Sequence, residues 1–190
     1  MKKVCVDTNM LVWYVKRSFT KGQEDFLEKA DYLFEYFEKN NIQVVIPSIA
    51  VAELLGSVED EEERGEYFDF MSNNFEIIQH DILSAKVYAE LRVKLSKSNA
   101  KSYASSQNIP KCMMTNDYNI CSMAISSGCD AIFSHNLKHF EKFADHKIPI
   151  YDLNYVEDLK VIQTEYVGYR KEYGDPSQTS LIDQLNEKDK

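Results

Sequence analysis

Short β-rich runs alternate with helix-period segments along most of this chain. That alternation restricts the fold more than any other feature. Lys2 to Val6 is the first run, and it stops at Asp7-Thr8-Asn9, residue types that cap and turn. Met10 to Val15 reads as a short helix. Between Gly22 and Asn40, Phe26, Leu27, Ala30, Leu33, Phe34 and Phe37 recur at helical spacing. Gln43 to Ile46 is a second strand; Pro47-Ser48 starts a helix through Leu55, with Gly56 as its stop. Glu59 to Glu66, six acids and one base, reads as a solvated helix face leading to Tyr67, Phe68 and Phe70. Phe75 to Ile78 is a third strand. Asp81 caps a long helix to about Lys97, with Ile82, Ala85, Tyr88, Ala89, Leu91 and Leu95 expected to face inward. Ser98 to Lys111 reads as a loop, Asn116 to Ser127 as a helix ended by Gly128, and Ala131-Ile132-Phe133 as a strand. Pro149-Ile150-Tyr151 is a last short strand before a helix near Tyr155 to Tyr173. Strands alternating with helices predict an α/β domain: a three-layer α/β/α sandwich with a mainly parallel central sheet. Sites in such sheets form beyond the carboxyl ends of the strands.

A chain of 190 residues with 44% hydrophobic content fits one domain with a tail. The expected division is a domain over 1–153, a C-terminal helix packed on it over 154–173, and a polar, flexible tail over 174–190. No run of about 18 apolar residues exists, so no membrane span is expected, and the start does not read as a signal peptide. Cys5, Cys112, Cys121 and Cys129 form no C-x-x-C pair, which suits thiols in a reducing cytoplasm. The net charge of −9 argues against a general polyanion binder. Any nucleic acid must then be met through a local patch or through bound cations.

Three acids fall where an acid has no evident structural task. Asp7 ends the first strand, Glu53 lies within the apolar helix Ile49 to Leu55, and Asp117 opens the helix that begins at Asn116. Each has a structural alternative. Asp7 can cap the helix after it, Asp117 can answer a helix dipole, and Glu53 can pair with a buried base or turn to solvent. The three together, with Asn136 after the Ile132-Phe133-Ser134 strand, are less common. All four offer hard oxygen donors suited to Mg²⁺ or Mn²⁺.

On these stretches the sequence resembles the PIN-domain ribonucleases, and within them the VapC-type toxins of prokaryotic toxin–antitoxin pairs. The matching segments are V-C-V-D-T-N-M-L-V at 4–12, I-P-S-I-A-V-A-E-L-L-G at 46–56, and N-D-Y-N-I-C-S-M-A-I-S-S-G-C-D-A-I-F-S-H-N-L-K-H-F at 116–140. The resemblance implies a metal-dependent endoribonuclease. It places the family's catalytic and metal-binding acids on Asp7, Glu53 and Asp117, and its fourth position, Asp in many members and Asn in others, on Asn136. Ser134 stands where the family has a Thr. One or two Mg²⁺ or Mn²⁺ ions are implied, with Thr8, Asn9 and Ser134 supporting the ligands through hydrogen bonds. A small antitoxin and a homodimer are the implied partners.

Residues 84–111 carry six bases and one acid, a local charge of +5. Lys97, Lys101, Lys111 and Lys138 are the candidate RNA contacts, forming a basic rim that attracts the phosphate backbone. The alternative for these lysines is a solvated helix face. A competing reading of the chain is a catalytically weak PIN-like domain that binds RNA or protein, favoured by the neutral Asn136. A phosphatase using Asp7 as nucleophile is a third, weakened by Asn9 where that chemistry wants an acid.

Overall fold

The computed structural model describes residues 1–97, 111–140 and 148–159. Five strands form one all-parallel sheet: β1 (Lys3–Val6), β2 (Gln43–Pro47), β3 (Glu76–Ile78), β4 (Ala131–Phe133) and β5 (Ile150–Tyr151), in the order β3-β2-β1-β4-β5. Seven described helices between residues 8 and 140 accompany them: α1 (Thr8–Tyr14), α2 (Asp25–Lys39), α3 (Ser48–Gly56), α4 (Glu61–Asn74), α5 (Ile82–Lys97), α6 (Lys111–Ser126) and α7 (Leu137–Phe140). Met1–Leu153 forms one compact unit, and Asn154 begins a second.

Parallel strands covered on both faces need apolar residues at every position, not at alternate ones. Val4, Cys5 and Val6 of β1 and all of β4 are buried accordingly. Alternation along the strands sorts these residues between two helix layers. Cys5 pairs with Val45 and Ile132, and this row packs against Leu91 of α5 and Tyr118, Cys121 and Met123 of α6. Val6 pairs with Phe133, whose ring meets Phe37 of α2 edge-on at 5.0 Å on the other face.

The helix α2 buries Ala30, Leu33, Phe34 and Phe37 and keeps its charged side outward, where Lys29–Asp25 and Lys39–Glu35 pairs span one turn. The acidic 59–66 stretch supplies the cap and first turn of α4, with Asp60 Oδ1 accepting from the Glu63 N–H at 2.8 Å.

Two local expectations need correction. The inward face of α5 runs through Ser84, Val87, Tyr88 and Leu91, while Ile82 is 83% exposed and Ala89 faces water. A reciprocal cap fixes the rotation of this helix: Asp81 N–H donates to Ser84 Oγ, and Ser84 N–H donates to Asp81 Oδ1. The side chain of Leu95 lies outside the described residues. Secondly, α6 starts at Lys111, not Asn116. The expected loop over 98–111 otherwise falls outside the described residues; of the helix expected near Tyr155 to Tyr173, residues 155–159 are helical and the rest lies outside them.

Candidate active site

The sheet order reverses between β1 and β4: the chain moves outward from β1 to β2 and β3, then returns to the other side for β4 and β5. This is the topological switch point, where a crevice opens at the carboxyl ends of the strands. Register decides what fills it. Because Val6 is level with Phe133, the next residues, Asp7 and Ser134, emerge side by side. The Asp7 N–H donates to the Phe133 carbonyl at 2.9 Å, and Ser134 Oγ donates to Asp7 Oδ2 at 2.6 Å.

Asp7 is 4% exposed and is also the N-cap of α1, with Oδ1 accepting from the Thr8 N–H at 2.6 Å. Asn9 Nδ2 approaches Oδ2 at 3.4 Å. Burial pushes the Asp7 pKa up from its ordinary 3.8, and the charge of Glu53 pushes the same way. The Ser134, Thr8 and Asn9 donors oppose that rise by stabilising the ionised form.

Glu53 reaches this crevice from α3. One carboxylate oxygen accepts from the Thr8 hydroxyl and the other from Asn116 Nδ2 of α6. Its bonded partners here are a hydroxyl and an amide, not a buried base. Asp117 stands one residue past Asn116 and is 7% exposed. It lies six residues into α6, beyond the first turn where a helix dipole acts, so a dipole role does not account for it. Asn136 enters through its backbone, whose N–H donates to Ser134 Oγ at 3.1 Å. Asp7, Thr8, Asn9, Glu53, Ser134 and Asn136 are thus linked in one hydrogen-bonded group with Asn116. Lys101 lies outside the described residues, and so do the side chains of Lys97, Lys111 and Lys138.

Asn116 was invisible to sequence reasoning as a site residue, because an Asn before an Asp looks like a helix cap. The only signal was its place in the same N-D-Y-N stretch as Asp117. His135 is exposed and lies edge-on to Trp13 and Phe26, at 5.3 and 5.0 Å.

The donor set suits a hard divalent cation: carboxylate oxygens on Asp7, Glu53 and Asp117 and an amide on Asn136. A cation bound there would offset both the burial of Asp7 and the nearby charge of Glu53. Among the described residues no three His, Cys, Asp or Glu side chains are gathered closely enough to ligate one ion. Asp7 and Glu53 share Thr8 as a hydrogen-bond partner, and Asp117 follows Asn116, which bonds Glu53.

The fold and the site together define an open α/β protein with an acidic, hydroxyl-braced crevice at the switch point of its sheet. The PIN domain family model matches residues 4–146, and the chain belongs to that family. PIN domains are generally nucleases and generally use divalent metal ions. Among solved structures the chain is similar to the Rickettsia felis VapBC2 complex bound to a DNA fragment from its promoter, with a TM-score of 0.55 and 21% identity over 79% of this chain and 98% of that one. The DNA-bound VapBC of Salmonella typhimurium gives 0.53 and 20%, over 80% and 99% of the two chains. VapBC-1 of nontypeable Haemophilus influenzae gives 0.53 and 17%, over 80% and 98%. Comparison with curated proteins gives no match. Among the described residues no helix is long and apolar enough to cross a membrane.

Proposed function

We propose that this PIN-domain protein is a divalent-metal-dependent endoribonuclease acting as the toxin of a toxin–antitoxin pair, with a small antitoxin as partner and a second copy of itself as a dimer mate. The observation that carries the nuclease reading is the pairing of Asp7 and Glu53 through Thr8 at the switch point, with Asn116 bringing α6 and its Asp117 alongside. Asp7, Glu53 and Asp117 would hold Mg²⁺ or Mn²⁺, and Asn136 would serve as an outer amide ligand. When bound, such an ion polarises phosphoryl oxygens and lowers the pKa of a coordinated water.

The protein's own groups do the rest. Ser134 and the Thr8 N–H favour the ionised form of Asp7 and orient it. The Thr8 hydroxyl and the Asn116 amide fix the Glu53 carboxylate, which orients the attacking water and accepts its proton. Lys97, Lys101, Lys111 and Lys138 draw in the RNA backbone in a salt-dependent manner. The kinship with VapBC complexes in fold supports the toxin assignment. A second reading, a binding module with weak catalysis, draws on the neutral Asn136.

The test is cleavage of structured and unstructured RNA with Mg²⁺, Mn²⁺ or chelator, on wild type, Asp7→Ala and Asp117→Ala. Metal-dependent cleavage that falls about a hundredfold or more in both variants supports the assignment. Retained cleavage in both overturns it, and RNA binding without cleavage in the wild type selects the second reading.

A further inference from the structure

We propose that a hollow of about 380 Å³ lined by Ser48, Ile49 and Ala52 of α3, Asn119 and Met123 of α6, and His80 is a subsite for one unpaired nucleotide of the RNA, held by its base. The identity of the ligand rests on the nuclease reading; the shape and chemistry of the hollow do not.

Position is the first observation. Ile49 lies one turn before Glu53 on α3, and Asn119 and Met123 lie one and two turns after Asn116 on α6. Glu53 and Asn116 are bonded to each other, so the hollow lies between the same two helices as that bond, displaced along them from the acids. A polymer whose phosphate sits at the acids would pass a neighbouring residue over it.

Chemistry is the second. None of the six lining residues carries a fixed charge, so neither a phosphate nor a metal ion is the natural occupant. Ile49 offers half-buried apolar surface, with the buried Met123 forming the floor beneath it. The Asn119 amide offers both a donor and an acceptor, and the Ser48 hydroxyl does the same. The exposed His80 ring lies 6.4 Å from Tyr88 and edge-on to it; Tyr88 in turn lies 5.9 Å from Tyr118, over which Arg92 sits at 5.2 Å. The wall is thus backed by a run of packed rings rather than left to a single flexible side chain. An aliphatic side chain, an imidazole ring and a bifunctional amide describe a site for a nucleobase. The volume falls within the range of small-ligand pockets, and single-stranded RNA is the form whose bases are available to such a site.

The test measures binding, with no cleavage required. A short fluorescently labelled single-stranded oligoribonucleotide is titrated with protein in Ca²⁺, and an abasic residue is moved through the oligonucleotide one position at a time. One position should weaken Kd on the order of tenfold, the size of one base-stacking contact. Ala52 is exposed, so Ala52→Trp fills the hollow without entering the core. It should lower affinity by a similar factor and erase the sensitivity to the abasic position. Asn119→Ala should reduce discrimination among the four bases at that position while leaving the abasic penalty. An oligonucleotide with no sensitive position, or an Ala52→Trp protein that binds and discriminates as wild type does, overturns the proposal. Pocket-dependent binding by a protein that never cleaves in Mg²⁺ or Mn²⁺ would keep the subsite and sink the nuclease; Asp7-dependent cleavage with no pocket dependence would do the reverse.

Discussion

Ser134→Ala removes one hydroxyl from the centre of the site, and its cost can be worked from two bonds. Ser134 Oγ donates to the buried Asp7 carboxylate at 2.6 Å and accepts from the Asn136 N–H at 3.1 Å. Loss of a hydrogen bond to a charged group costs about 1.5–3 kcal/mol, and loss of a neutral one about 1 kcal/mol. The sum, about 2.5–4 kcal/mol, corresponds to a fall in Tm of roughly 5–15 °C for a domain of this size. The pH dependence gives the sharper check. Asp7 in the folded chain has a pKa above its ordinary 3.8, so as pH falls the folded form takes up the proton first. A raised carboxylate pKa therefore subtracts stability as pH rises from 3.8 through the folded value. The Ser134 hydroxyl limits that subtraction by favouring the ionised form. Without it the folded pKa rises further. The Tm difference between wild type and Ser134→Ala should be largest near pH 7.5 and should shrink as Asp7 protonates, leaving only the Asn136 contribution. Circular dichroism melts from pH 4 to 8 measure this. A difference that stays constant across that range, or that persists undiminished in an Asp7→Asn background, refutes the claim that the hydroxyl acts on a charge.

Three further outcomes follow from the same structure. Mg²⁺ or Mn²⁺ at a hundred times its Kd should raise stability by about 2.7 kcal/mol in wild type and not in Asp7→Asn, with the effect fading as pH drops through the Asp7 pKa because protons compete for the carboxylate; thermal shifts in metal and chelator decide it. Gly128 has φ +69° after the last turn of α6, and an added Cβ would meet nothing within 4 Å, so Gly128→Ala should cost only the backbone strain of about 1–2 kcal/mol, read from a urea midpoint. Asp60→Ala removes the bonded cap of α4 and should cost about 1 kcal/mol in the same assay, leaving the metal response intact.

What could be read in the sequence was what is decided locally. The strands β1, β2 and β4 are short apolar runs bounded by turn or cap residues, and a buried parallel strand requires little else. The end of β1 at Asp7 follows from the same pattern. The start of α6 did not, because Asn116-Asp117 carries the signature of a cap and drew the boundary away from Lys111, Met113 and Met114, which favour helix. The Asn116 amide is instead spent on Glu53, sixty-three positions away, and a partner at that distance leaves no local trace. The rotation of α5 was lost for a related reason. Its apolar residues occupy two faces, and the Asp81–Ser84 cap with the packing of Leu91 against α6 selects the one that is buried.

For Asp7 the choice between cap and ligand was posed as a choice between structure and function, and the geometry dissolves it. A carboxylate has two oxygens. Oδ1 accepts from the Thr8 N–H at the start of α1, while the Asp7 carbonyl accepts from Met10 N–H and closes the first turn. Oδ2 is thereby turned toward Ser134, at the end of the neighbouring strand and on the crevice side. Under the proposed function, capping would also orient the second oxygen as a donor for an ion, without a separate device for doing so. The same dual use explains why an unfavourable buried charge persists at this point. An Asn would cap α1 nearly as well and would relieve the repulsion from Glu53, yet it would surrender the anionic oxygen. Apo stability and ligand charge therefore pull against each other at one side chain. An Asp7→Asn protein that melts no lower than wild type in chelator, while losing the metal-induced rise, would show that tension directly. A variant that melts several degrees lower in chelator would mean that the carboxylate is kept for the cap and its bonds alone.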